Sequence, residues 1–472
     1  MTATDPLAWD AAAGDIAIAV AAGWVSAAEV IEATIARIRR LDPLINAFTD
    51  AVFERAVARA GAVDAARAAG APLGPLAGVP FAVKNLFAIE GVVTRAGSVL
   101  NRTHSPARAD AHLVKKLEAA GAVLTGALNM GEYAYDFTGE NAHDGACRNP
   151  VGPSRMAGGS SSGSAAATAA GLAPVSLGSD TNGSIRVPAS FCGIFGLKPT
   201  YGRLGRSGTF PFCDSLDHLG PLARGVRDLA LAYDALQGPD AADHACTTRP
   251  PEPVIPLLEQ GAGGLRIAVA GGWFERLLTE ESRTAVARVA RALGATTIVV
   301  LDDAETARAA AFLITNAESA ALHLDRLCSD PGGFDPDTRD RFMAGALLPA
   351  AWLVRAQAAR HVWAKRMARL FRDIDLLIAP ATPGPAPLIG QKMMTLDGIE
   401  MPVRPNIGLF TQPISCAGLP VCAVPAAEAG ALPVGVQLVA APWREDVCLR
   451  AAYELEGAGI VAPSVPNLPD AL

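Results

Sequence analysis

The stretch GSDTNGSIRVPAS, residues 178–190, decides how this chain is read. It follows residues 174–177, a short apolar run that predicts a strand. A Gly/Ser loop at the end of a strand exposes backbone N–H groups and can form an anion nest or an oxyanion hole. Thr181, Asn182, Gly183 and Ser184 are the residues placed to do so, and Asn182 is among the few non-glycine residues that tolerate a left-handed backbone. Ser184 is the candidate nucleophile of the loop. The G-x-S-x-G elbow is absent around it. Arg186 reads as structural, pairing Asp180 or capping the turn.

Two pieces upstream give Ser184 a context. Residues 154–171, SRMAGGSSSGSAAATAAG, form a Gly/Ser loop that runs into a helix of small residues. No Lys follows Gly163, so the loop is no Walker phosphate cradle. Residues 78–85, GVPFAVKN, place Lys84 on an apolar strand beside Phe81, Ala82, Val83, Leu86 and Phe87, with no carboxylate close in sequence. An amide is a poor electrophile. Its hydrolysis needs a strong nucleophile, a proton donor for the leaving nitrogen and donors for the oxyanion. A lysine can be the base for a serine when burial lowers its pKa from about 10.4 towards neutrality.

Outward from these pieces, helices and strands alternate. Ser26-Ala-Ala-Glu29 is a capping box that predicts a helix over 27–40, ended by Asp42-Pro43. A second helix is expected over about 50–69, a strand at 80–84, a helix at 112–120 and a strand at 122–128. Further strands are expected at 265–270, 296–301, 375–379, 420–424 and 433–440. Further helical stretches are expected at 279–293, 303–372 and 444–457. The alternation predicts an α/β fold, one large domain over 1–472 with a mixed β-sheet core and helices on both faces. Its parts are a helical segment 1–70, a motif core 71–235 and a remainder 236–472. The Pro-rich stretch 237–264 reads as an excursion within that domain, because its flanks continue one pattern.

Composition bounds the function. Of 472 residues, 50% are hydrophobic and 18% charged, with net charge −7, which suits a sizeable core. The acidic balance gives no footprint for direct nucleic-acid binding or for an acidic membrane surface. The N-terminus, MTATDPLAWD, carries acids where an export signal carries bases, and the apolar run 16–25 is too short to cross a bilayer. The expectation is a soluble cytoplasmic protein. The eight cysteines form no C-x-x-C pair and no zinc spacing, so buried thiols are expected, with no metal and no cofactor.

Together the motifs resemble the amidase signature family. GVPFAVKN (78–85), the loop 158–164 and GSDTNGSIRVPAS (178–190) carry the resemblance, joined by FGLKPTYGRL (195–204), SLDHLGP (215–221) and AGLPVCAVP (417–425). The resemblance spans almost the whole chain. It implies that Lys84 is the base, that Ser160 relays the proton across a cis Gly159-Ser160 peptide, and that Ser184 is the nucleophile. The 24-residue gap between the serines agrees with the family spacing. Asn85 departs from the family's usual Asp, which would leave Lys84 more neutral; Ser162 and Asn182 replace usual glycines.

Residues 139–150, 207–221 and 404–420 most resemble the branch of 1-carboxybiuret hydrolases of the cyanuric-acid pathway. That implies a small, anionic, urea-type amide. Arg326 and Arg404 are candidates for its carboxylate, with Tyr133, His143 and His218 as rim residues. The resemblance also implies a small helical partner subunit, though the Ala-rich N-terminal helices could equally make a homodimer contact. The alternatives are an allophanate or other small-amide hydrolase, the glutaminase subunit of a tRNA-dependent amidotransferase, and a non-catalytic scaffold.

Overall fold

The computed structural model describes residues 5–468. In chain order the strands are β1 (Phe48–Ala51), β2 (Pro80–Lys84), β3 (Val123–Leu128), β4 (Val175–Asp180), β5 (Phe195–Lys198), β6 (His218–Ala223), β7 (Ile267–Gly271), β8 (Thr297–Val300), β9 (Leu376–Pro380), β10 (Met393–Leu396), β11 (Ile399–Pro402), β12 (Val421–Pro425) and β13 (Gly435–Ala440). Eleven of them make one sheet in the order β1-β3-β2-β4-β6-β5-β12-β13-β9-β7-β8; β10 and β11 form a separate hairpin. β2 runs parallel to β3 and β4, and β7 parallel to β8 and β9, while the central strands are antiparallel. The expected mixed sheet is present.

Side chains alternate faces along a strand, and here the alternation separates two cores. Phe81 and Val83 of β2, Ala223 of β6, and Cys422 and Val424 of β12 join the larger core, with the helices Val226–Leu236 and Glu445–Gly457. Ala82, Leu222 and Ala423, on the opposite face, pack against the small-residue helices Ser162–Ala169 and Arg186–Cys192. Alanine at 165–167 and 169 lets the first of these lie close to the sheet, because no long side chain holds it off. Lys84 shares the parity of Ala82. The pleat therefore aims it at the face where the loop of Ser160 enters that helix.

The sequence expectations differ from the structure at informative points. The helix that opens at Ser26 runs to Ile45, through Pro43. Proline in the last turn forfeits one backbone bond, and the helix ends only where Asn46 turns left-handed, φ 56°. The capping box is formed as expected. The long helical stretch 303–372 is three helices, Ala304–Ser329, Pro336–Ala346 and Ala350–Asp373. Strands β1, β5 and β6 carry no strong strand pattern; β6 contains Gly220 and Pro221, residues that argue against a central strand. Residues 237–264 do fold back onto the body: Asp240 accepts from the Ser207 amide and Asp243 pairs with Arg206. Cys246 is half-buried and Cys328 exposed, against the expected burial, while the other six cysteines are buried. Among the described residues no single helix is long and apolar enough to cross a membrane.

Candidate active site

The site forms where β2 and β4 end side by side. Lys84, the last residue of β2, is fully buried. Its Nζ donates to Ser160 Oγ at 2.7 Å and to Ser179 Oγ at 2.8 Å. Burial pushes its pKa down to about 7, outweighing Asp217, Asp180 and Asp136, whose charges pull it up. Those three carboxylates lie far along the chain, so the apolar neighbourhood read from sequence is only part of the field. Asn85 takes no part in it: its Oδ1 accepts from the Gly97 amide and its Nδ2 donates to Thr49.

A lowered pKa does not by itself single out Lys84. Lys198 on β5 is equally buried and also lowered to about 7, chiefly by burial. Its ammonium, however, donates only to the carbonyl oxygens of Pro199 and Leu419. The contact with two serines distinguishes Lys84.

The Gly159-Ser160 peptide is cis. Its loop is held on both sides: Gly159 N–H donates to the Phe137 carbonyl at 2.9 Å, and the Ser160 carbonyl accepts from Gly131 N–H. Ser161 N–H then donates to the Ser184 carbonyl at 3.3 Å, which fastens the loop of Ser160 to that of Ser184.

Loop 181–185 is clamped at its base. Asp180 takes both Nε and Nη2 of Arg186 at 2.9 Å and also the Ile185 amide at 3.1 Å. Arg186 reaches on to Gln437, Ser415 and the Thr411 carbonyl. Both charged groups are fully buried, and Arg186 beside it holds the Asp180 carboxyl well below the usual range. Above the clamp, the amides of Thr181, Asn182, Gly183 and Ser184 have no acceptor among the described residues. Four consecutive unpaired N–H groups in a buried loop are the exception in a folded protein, and they form a ready donor set. The left-handed position is Gly183, at φ 144°, and Asn182 is not left-handed. Asn182 instead donates to Thr315 Oγ1 at 2.8 Å.

Ser184, Thr181 and Asn182 line a narrow pocket with Tyr135, Phe312, Thr315, Arg341 and Gln412. Its free volume is about 20 Å³, room for one water. Among the described residues no group of three or more His, Cys, Asp and Glu is arranged to hold a metal ion.

Neither the carboxylate candidates Arg326 and Arg404 nor the rim candidates Tyr133, His143 and His218 lie on this wall. Tyr133 is buried among Phe210, His323, Phe334 and Phe342, its hydroxyl donating to Asn101; its neighbours Ala134 and Tyr135 reach the pocket. His143 Nε2 contacts Glu132 Oε1 at 2.9 Å. His218 is buried, with Nδ1 against the carbonyl oxygens of Asp180 and Leu216. Carbonyls only accept, so Nδ1 carries the proton, and burial holds the ring neutral by pushing its pKa well down. Arg326 lies in the last turn of helix Ala304–Ser329, near Tyr133 and His323. Arg404 is bound by Asp136, Asp337 and Glu140, which leaves it no free charge for a ligand. Sequence reading missed Ser179, Asp217 and Arg341. Ser179 stood inside the quoted motif; Arg341 is one of several charges in a polar helix and carries no local signal.

Known proteins resemble this chain over most of its length. The model of the amidase family matches residues 29–449. The chain is 56% identical to AtzE, a 1-carboxybiuret hydrolase subunit of Pseudomonas sp. (strain ADP), over 93% of this chain and 97% of that one. It is 39% identical to a glutamyl-tRNA(Gln) amidotransferase subunit of Anaeromyxobacter dehalogenans (strain 2CP-C), over 93% and 94%. A solved structure, described as a vestigial protein complex that reveals the origins of an s-triazine catabolic enzyme, superposes with a TM-score of 0.95 at 55% identity, covering 96% of this chain and all of that one.

Proposed function

The chain belongs to the amidase signature family, hydrolases of C–N amide bonds, and from that premise we propose that it cleaves a small, anionic, 1-carboxybiuret-like amide by way of an acyl-enzyme on Ser184. The observation that carries the substrate class is the 56% identity to a 1-carboxybiuret hydrolase subunit over nearly the full length of both chains.

The contacts of Lys84 with Ser160 and Ser179 and the unpaired amides of 181–184 support the following chemistry. Neutral Lys84 takes the Ser160 proton while Ser160 takes that of Ser184, whose Oγ attacks the carbonyl carbon. The unpaired amides of 181–184 receive the charge that develops on the oxygen. As the tetrahedral intermediate collapses, the C–N bond breaks. The proton returns through Ser160 to the nitrogen, and ammonia leaves. Water then gives a proton to the relay as it attacks the ester, and the relay returns it to Ser184 Oγ as the acid product leaves. A lysine with a pKa near 7 is suited to both directions, because it is neither fully charged nor a weak acid at working pH. A small partner subunit completes the proposal, supported by the related structure being a protein complex.

The test is ammonia release from carboxybiuret, biuret, allophanate, glutamine and malonamate. Carboxybiuret is expected to be the best substrate, and Ser184→Ala to abolish turnover. Release from glutamine alone removes the substrate reading in favour of the amidotransferase role, whose relative is 39% identical to this chain.

A further inference from the structure

We propose that the side-chain oxygen of Asn182 selects urea-type amides, by accepting a hydrogen bond from the substrate N–H that adjoins the scissile carbonyl on its acyl side. The inference rests on the substrate class proposed above and names the atom that separates a urea from a carbon-chain amide.

Two side-chain polar atoms of the residues lining the pocket of Ser184 are buried without a partner among the described residues, Asn182 Oδ1 and the Tyr135 hydroxyl. The hydroxyl can donate or accept, whereas an amide oxygen only accepts. The carboxylate and the other amide oxygen of this wall are taken. Asp136 holds the Thr138 and Gly139 amides and Arg404, and Gln412 Oε1 accepts from Arg308 Nε at 2.9 Å. Asn182 is 7% exposed. An acceptor so buried is costly to leave unpaired, so a bound molecule that brings an N–H to it gains over one that does not.

A relay of hydrogen bonds decides which end of the Asn182 amide is left over. Glu318 Oε2 accepts from Ser215 N–H at 3.1 Å, and the Cys213 thiol donates to the same oxygen at 3.2 Å. The thiol hydrogen is thereby used, and the sulfur is left to accept. Its other hydrogen-bonding neighbour is the Thr315 hydroxyl. That hydroxyl gives its hydrogen to the sulfur and turns its oxygen to Asn182, whose Nδ2 donates to it at 2.8 Å. The amide nitrogen is thus held by the protein, and Oδ1 is the end without a partner. Thr315 and Glu318 stand three positions apart on helix Ala304–Ser329 and share one side of it, while Cys213 follows Phe212 of the pocket wall. Thr315 is therefore a positioning residue that acts through Asn182.

Biuret and malonamide differ only in the group between their two carbonyls, N–H in the first and CH₂ in the second. The experiment measures both as inhibitors of carboxybiuret consumption. Wild type should bind biuret about tenfold more tightly, because a site built for an N–H rejects the analogue that lacks it. Asn182→Gly removes the side chain and keeps the backbone N–H of the loop. It should raise Ki for biuret about tenfold and for malonamide by less than about twofold, the effect of one hydrogen bond to a buried acceptor. Thr315→Val frees the Asn182 amide to turn over, so it should lose about half to two-thirds of the preference for biuret, and Thr315→Ser should restore it. Biuret should raise the Tm of wild type more than malonamide does, and the two should act alike on Asn182→Gly, a readout that needs no turnover. Equal Ki values in wild type, or a preference unchanged in Asn182→Gly, overturn the Asn182 assignment while carboxybiuret consumption keeps the substrate reading in place. An unchanged preference in Thr315→Val overturns the positioning role alone. A wild type that leaves carboxybiuret intact removes the substrate reading and this inference with it.

Discussion

Asp180 and Arg186 close a two-pronged ion pair across the five residues that separate them, and both are fully buried. The pair turns an open Gly/Ser loop into a fixed one, since its two ends cannot separate without breaking the contact. The four unpaired amides of 181–184 lie between them.

Removing one partner of a buried pair strands the other. Arg186→Ala is therefore expected to destabilise the protein by about 3–5 kcal/mol and to abolish amide hydrolysis. Urea unfolding checks the first and ammonia release the second. Arg186→Lys keeps the charge but not the fork, so it should remain impaired. Near-normal activity in Arg186→Ala would falsify the view that the clamp shapes the loop.

The pH profile reports Lys84. As the proposed base Lys84 must be neutral, and burial lowers its pKa to about 7. The rate should rise with pH through about 7 and then level off. Lys84→Ala should remove that limb and lower kcat by about 10²–10⁴-fold, the usual contribution of a general base. Retention of near-full activity in this variant sinks the mechanism.

Ser179 offers a finer test, because it is the second hydroxyl on the Lys84 ammonium, at 2.8 Å. Its hydrogen bond favours the charged lysine. Ser179→Ala should move the acidic limb to lower pH and reduce kcat by about five- to tenfold, with KM unchanged, as fits the loss of one hydrogen bond of about 1 kcal/mol. A limb that stays in place or moves to higher pH counts against this role.

Gly183 tests the loop backbone itself. At φ 144° an added Cβ would lie 2.3 Å from Thr411 Oγ1 and 2.8 Å from Thr411 Cβ. Gly183→Ala should cost about 2 kcal/mol or more and abolish turnover. Gly263→Ala, where nothing lies within 4 Å, should leave both Tm and activity near wild type. Equal behaviour of the two variants would show that the loop tolerates a side chain.

Much of this was legible before the fold. The strand of Lys84, the helix that opens at the Ser26 capping box and the pairing of Arg186 with Asp180 are short-range features. Each depends on residues within a few positions of one another. The pocket was not legible. Tyr133, His143, His218, Arg326 and Arg404 are polar groups of the right chemical type, but side-chain type does not say which way a residue faces. Tyr133 went to an aromatic cluster, and Arg404 to three acids that lie at positions 136, 140 and 337. β6 was missed because its Gly220-Pro221 pair contradicts the local rule for a central strand, and long-range pairing with β4 and β5 prevailed.

The sequence by itself determined the chemistry of the site: a lysine on an apolar strand, a serine after two glycines, and a second serine in a loop of small residues. Such motifs are local, so chain order carries them. Only the tertiary structure showed how Lys84 differs from Lys198, which has the same burial and the same lowered pKa but donates to carbonyl oxygens and to no serine. It alone placed Asp136, Asp180 and Asp217 near Lys84, and it alone brought Arg341 and not Arg404 into the pocket of Ser184. Electrostatic fields and pocket walls are sums over residues far apart in the chain, and those distances exist only once the sheet has closed.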